Sequence, residues 1–119
     1  MPVLTFRPLH ALPLPFPNSF PKTKTLNFKV GHVLKDHAHN KKGYKRVGVA
    51  EGGKFIVRPK AWSGAAAEEA EAAAPAASLS DVELSPGDSL DIPPGLVHSA
   101  WVVGDEDVVF IMGDEEEVE

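Results

Sequence analysis

Three histidines of this chain are spaced so that one metal ion could gather them. His37 and His39 form an H-x-H pair within Gly31-His32-Val33-Leu34-Lys35-Asp36-His37-Ala38-His39. On a strand, residues two apart face the same side, about 6.5–7 Å from each other. Imidazoles at that spacing reach a common ion, with metal–nitrogen distances of about 2.0–2.1 Å. His98 follows the rigid turn Pro93-Pro94-Gly95 and starts a segment in which Ala100 and Val102 share its face. An imidazole buried among small apolar neighbours needs a polar partner. A metal would serve all three histidines at once. The simpler accounts are a core His98 bonded to a backbone carbonyl, and His37 and His39 as a solvated strand end beside Asp36 and Asn40. With no cysteine in the chain, histidine and carboxylate are the strong transition-metal ligands that remain.

Positioning such residues requires strands. Leu26, Phe28 and Val30 alternate with Asn27 and Lys29, a period-2 pattern that predicts a half-buried strand. Further β-type segments are expected at 45–50, 54–58, 81–84, 89–92, 97–103 and 107–112. Turn signals separate them at Asn40-Lys41-Lys42-Gly43, Glu51-Gly52-Gly53, Ser85-Pro86-Gly87-Asp88, Pro93-Pro94-Gly95 and Gly104-Asp105-Glu106. Gly52-Gly53 reads as a hairpin turn rather than a phosphate-cradling loop. Many short strands at this spacing predict an all-β antiparallel sandwich or barrel.

Three domain segments follow. Residues 1–25 are a proline-rich arm, extended or turning, with at most a short edge strand near Val3 to Arg7. Residues 26–113 are the β domain, interrupted at 63–79 by an alanine-rich, low-complexity insertion. That insertion has no large apolar side chain of its own to dock it, so a frayed helical turn or a disordered surface loop is expected. Residues 114–119 are an acidic tail.

The two histidine segments together resemble the two sequence motifs of the cupin superfamily. The first family motif, G-x5-H-x-H-x3,4-E-x6-G, is matched in its front half by Gly31, His37 and His39. The second, G-x5-P-x-G-x2-H-x3-N, is matched without a gap from Gly87 through Pro93 and Gly95 to His98. The resemblance spans roughly residues 26–112. It implies a small cupin-type double-sheet β-barrel, or jelly roll, with one divalent transition metal ion at His37, His39 and His98. The ion could be Fe, Zn, Ni, Mn or Cu, because affinity order does not choose among them. It also implies homodimers as a common state, in which an N-terminal arm adds to the partner's sheet. Packing of the arm on its own barrel is the alternative. Two positions depart from the family pattern. The motif glutamate falls at Gly43 or Tyr44, with Lys45 next, and the final asparagine falls at Val102. Glu51, downstream beside Gly52-Gly53, is a poor substitute.

Tyr44 and Lys45, near the vacated glutamate position, are candidate substrate-binding residues. They could orient a substrate oxygen, or simply be solvated loop residues. Trp101 is an odd number of residues from His98 and is expected on the opposite face. No particular catalytic residue stands out beyond the histidines.

Charge and hydropathy narrow the function classes. The chain has 119 residues, enough for one domain with its own core, and a net charge of −5. Five acids fall within residues 114–119, and without them the remaining charges balance. No basic stripe points to nucleic acid; Lys41, Lys42, Lys45 and Arg46 form the densest cluster. No apolar run approaches the roughly 18–20 residues of a membrane helix, and the prolines interrupt any signal-peptide core. The expected setting is soluble and cytoplasmic, with a small-molecule ligand. A three-histidine site has open coordination positions and lacks a carboxylate's negative charge, which favours an anionic chelating substrate. By family analogy the leading expectation is a metal-dependent dioxygenase. The alternatives are a non-catalytic ligand- or metal-binding module, and a metal-dependent isomerase or lyase.

Overall fold

The computed structural model describes residues 9–14, 16, 22–39, 44–65 and 67–114. The expected edge strand near Val3 to Arg7 and the expected turn at 40–43 lie outside these residues. The described chain is an antiparallel β protein with one short helix. Its strands are β1 (Leu12–Pro13), β2 (Thr23–Phe28), β3 (Val33–His37), β4 (Lys45–Trp62), β5 (Val82–Leu84), β6 (Asp88–Ile92) and β7 (Leu96–Asp114), with α1 (Ala67–Ala73) between β4 and β5.

Two long strands organise everything else. β4 and β7 pair antiparallel from Lys45↔Asp114 to Trp62↔Leu96, with register shifts between Val49 and Glu51, Gly52 and Lys54, and Pro59 and Ala61. On the Lys45 half, the order is β1-β6-β4-β7-β2; on the other half, β5 joins β4 and β3 joins β7. The chain thus makes one sheet whose two halves share a core. Phe55 of one half stands 5.0 Å from Phe110 and 6.0 Å from Phe28 of the other, ring centre to ring centre. The pairings among the described residues form an open path with β1 and β2 at its ends, not the closed ring that a barrel implies.

Period-2 alternation places the core. Along β7, Leu96, His98, Ala100, Val102, Val108 and Phe110 are buried, while their odd-numbered neighbours are less so. Along β4, Val47, Val49, Phe55 and Val57 take the same role. Burying a side chain of this size contributes about 1.5–3 kcal/mol, so this inner row is a main source of stability.

Several expectations need correction. Gly52-Gly53 is not a hairpin turn: β4 runs through it as one bulged strand, joining the segments expected at 45–50 and 54–58. Gly52 has φ +99°, and a Cβ there would fall on the Asp107 carbonyl. A bulge at a close crossing uses glycine for the same reason as a turn, so the sequence signal is shared. The signal at Gly104-Asp105-Glu106 likewise lies within β7. The alanine-rich insertion, expected as a helical turn or a disordered loop, takes the helical form as α1 followed by a 3-10 turn (Ala76–Ser78), with Ala70 and Ala76 buried. Its anchor lies just outside it: the Trp62 indole Nε1 donates to the Ala74 carbonyl at 2.8 Å. Asp114 belongs to β7 rather than to a solvated tail, and its carboxylate meets Lys45 Nζ at 3.4 Å.

The described part of the proline-rich arm packs on its own chain. Leu12 and Pro13 pair with Ser89 and Asp88 of β6, and the Leu14 amide donates to the Gly87 carbonyl at 2.9 Å. Beneath the arm lies a buried cross-strand ion pair. Arg46 Nε and Nη2 donate to Asp91 Oδ1 and Oδ2 at 2.6 and 2.9 Å, and the Phe16 ring faces the guanidinium at 5.9 Å. Breaking such a pair strands a charge in the interior, whereas an apolar pair of similar volume is tolerated. We therefore expect Asp91→Ala to cost about 3–5 kcal/mol in urea unfolding, and the double variant Arg46→Met, Asp91→Leu to recover most of it. Equal destabilisation of both would show that the pair's charge is not what the fold depends on.

Candidate metal centre

The site begins with a register. β3 lies beside β7 so that His37 is directly opposite His98, and an irregularity between Leu34 and His37 adjusts the pairing. β3 ends at His37, so His39 lies two residues beyond the strand rather than on it. The Pro93-Pro94-Gly95 turn fixes it instead. The Gly95 amide donates to the His39 carbonyl at 2.9 Å, and the Ser63 amide donates to the Gly95 carbonyl at 2.8 Å. Gly95 has φ +82°, and a Cβ there would lie 2.8 Å from the Ser63 carbonyl oxygen. Only glycine meets both conditions comfortably.

The three imidazoles converge. Ring centres lie 4.4 Å apart for His37 and His98, and 5.1 Å apart for each pair involving His39. One potential ligand nitrogen from each lies within 4.8 Å of the others. Two ligands on one tetrahedral ion stand about 3.4 Å apart, so small ring rotations close the set. The hydrogen bonds fit that use. His37 Nδ1 lies 2.7 Å from the Lys35 carbonyl and His98 Nδ1 lies 2.8 Å from the Leu96 carbonyl. A carbonyl only accepts, so each Nδ1 carries its proton and each Nε2 keeps a lone pair for an ion. The backbone-bonded core histidine and the metal ligand are thus one arrangement at His98.

Burial favours the neutral form of His39 and His98. The His39 pKa is pushed down from 6.5 to about 4, first by desolvation, then by His98, Lys45 and His37, against an opposing pull from Asp114. His98, 2% exposed, is also lowered, chiefly by desolvation. Neutral imidazole is the form that binds metal, so neither residue would need to lose a proton to hold an ion at neutral pH.

The histidines form one end of a cavity of about 250 Å³. Its other walls include Leu26, Phe28, Leu34, Val47, Phe55, Val57, Ile92, Phe110 and Met112. Among the described residues, Lys45 is the remaining polar lining residue; its side chain is 14% exposed, not solvated. Tyr44 sits half-buried just before β4 and is not among the lining residues. Trp101 points outward as expected, with the Arg58 guanidinium 4.9 Å from its ring centre. Sequence reasoning missed the Lys45–Asp114 pairing. Strand parity held the signal for it, because Lys45 alternates with Val47 and Val49, and Asp114 with Met112 and Phe110. Glu51 is exposed, outside the cavity.

Two solved structures share this architecture. One is a cupin-like protein from Thermotoga maritima, 22% identical, with a TM-score of 0.55 over 78% of this chain and 55% of that one. The other is RmlC from Streptococcus suis in complex with dTDP-D-xylose, 16% identical, with a TM-score of 0.58 over 87% of this chain and 50% of that one. The chain has a cupin fold. It spans about half the length of these two proteins. No protein-family model matches the sequence, and no curated protein matches it. Among the described residues, no helix is long and apolar enough to cross a membrane.

Two predictions follow from the geometry. His98→Ala should abolish stoichiometric metal uptake, measured by elemental analysis after reconstitution, while Lys45→Ala should not; retained metal in the His98 variant would overturn the ligand assignment. The depressed His39 pKa also sets a pH dependence. Below pH 6.5 the unfolded chain takes up the proton that folded His39 refuses until about pH 4. Stability therefore falls as pH drops through that window. The urea midpoint of chelator-treated protein should decline from pH 6.5 to 4, less steeply in His39→Gln. Identical slopes would contradict the assignment.

Proposed function

We propose that this cupin binds one divalent transition metal ion through His37, His39 and His98 and acts as a metal-dependent dioxygenase on a small chelating anion. The observation that carries the reading is the convergence of three imidazoles, two with Nδ1 tied to backbone carbonyls, at the polar end of an otherwise apolar cavity. When bound, an iron ion would supply the redox chemistry that joins dioxygen to an electron-rich enolate. The chain's own residues do the rest. The three neutral imidazoles leave the ion's full charge in place, which favours an anionic chelate. The apolar walls exclude water and strengthen that attraction. Lys45 adds a positive charge on the same side. The choice of oxidative cleavage among metal chemistries rests on analogy with other cupins.

The isomerase or lyase alternative draws on RmlC, whose structure holds a nucleotide sugar. Against it stands the lining, which offers a polyol few hydrogen-bonding groups besides the histidines and Lys45. The non-catalytic alternative is favoured by the lining as well: among the described residues it contains no carboxylate to act as a base.

Elemental analysis of protein purified without tag or chelator, beside His37→Ala, tests the metal. About one equivalent of iron, lost in the variant, with oxygen uptake on addition of a β-diketone, is the expected result. Turnover with zinc and no oxygen consumption would select the isomerase or lyase reading. Tight ligand binding without product would select the binding module.

A further inference from the structure

The inner faces of three neighbouring strands change character together. β2 and β4 flank β7, and their registers place Lys24 opposite Met112 and Lys45 opposite Asp114. Read outward from the core, strand parity groups Phe28, Leu26 and the exposed Lys24 on β2; Phe110, Met112 and Asp114 on β7; and Val47 and Lys45 on β4. The wall is apolar inside and charged at its rim. A second groove of about 290 Å³ lies outside this rim, lined by Lys22, Thr23, Lys24, Lys45, Met112, Gly113 and Asp114. It shares Lys45 and Met112 with the inner cavity. Lys45 therefore faces both spaces. Among the described residues, three lysines and one aspartate line this groove, and lysines at a mouth favour the approach of an anion.

The Lys45–Asp114 contact suits exchange. At 3.4 Å it is longer than the about 2.7–2.9 Å of a strong charge-assisted bond, and the Asp114 side chain is 37% exposed. A ligand carboxylate reaching Lys45 from within would bond it in a drier setting, where the interaction is stronger. The inner cavity is smaller than the about 300–1,000 Å³ typical of drug-sized ligands, which limits the rest of the molecule to a compact apolar group.

We propose that the cavity selects, among small chelating anions, one that also carries a carboxylate and a compact apolar group, admitted past Lys22 and Lys24, whose carboxylate takes Lys45 over from Asp114 while the apolar group lies against Phe28, Phe55 and Phe110. This rests on the reading of the cavity as the ligand site and narrows the substrate class. Lys45 is its specificity-determining residue.

The test compares hexanoate with 1-hexanol as probes of the chelator-treated full chain, by NMR shift titration at neutral pH and low salt. Hexanoate should bind about tenfold more tightly than hexanol, the preference expected of one charge-assisted contact. Lys45→Met should bring the two near parity, and Lys45→Arg should keep the preference. Lys24→Glu should weaken hexanoate and leave hexanol unchanged, which decides the matter even if Lys45→Met fails to fold. Parity in the unmodified protein, or a full preference surviving in folded Lys45→Met, overturns the inference. Zinc uptake by the same preparations separates the two readings. Anion preference without metal binding sinks the metal centre alone, and metal binding without anion preference sinks the carboxylate alone.

Discussion

The site depends on a backbone hydrogen bond between two segments far apart in sequence, from the Gly95 amide to the His39 carbonyl. β3 ends at His37, so no ladder bond holds His39 where it is. The turn that launches β7 does so instead, and three residues later the same strand presents His98. One tight turn therefore positions two of the three imidazoles relative to each other, and strand pairing positions the third. The turn is braced in its turn by Ser63, the residue just after β4. Because Gly95 must approach Ser63 closely at positive φ, a side chain there would push the turn away from both histidine segments.

Electrostatics separate this site from a carboxylate-containing one. Three neutral imidazoles in a pocket with desolvating walls would leave a dication uncompensated by the protein. Lys45 adds to the imbalance, and Asp114 offsets it only from the rim. A dry site with surplus positive charge is unstable until an anion joins it. Metal and anion binding should therefore be linked, each favouring the other. The Asp114 carboxylate gives Lys45 a partner while no ligand is present.

The fold and the histidine set were legible because they rest on local signals. Alternation along β7 put His98, Ala100 and Val102 on one buried face, and a glycine-proline spacing marked the turn before it. What was illegible depends on partners distant in the chain. Gly52-Gly53 looks the same as a hairpin turn or as a bulge in a continuous strand; only the approach of the Asp107 carbonyl decides. The alanine-rich insertion lacked a docking residue of its own, and Trp62 supplies one from the preceding strand. Asp114 read as part of a like-charge tail because composition cannot show that β4 begins opposite it.

Lys45 shows what a motif comparison leaves out. Against the family pattern it lies just after the position of a missing glutamate, and a lysine beside a gap reads as solvent-exposed. Strand parity gives the opposite answer, since Lys45, Val47 and Val49 share a face and two of them are core. A lysine held among apolar walls incurs a desolvation cost that a surface position would avoid. Asp114 at 3.4 Å offsets only part of that cost. The pattern's glutamate falls at Gly43 or Tyr44, and the next residue, Lys45, brings a positive charge into the cavity wall, which alters which ligands the same three histidines could share the cavity with.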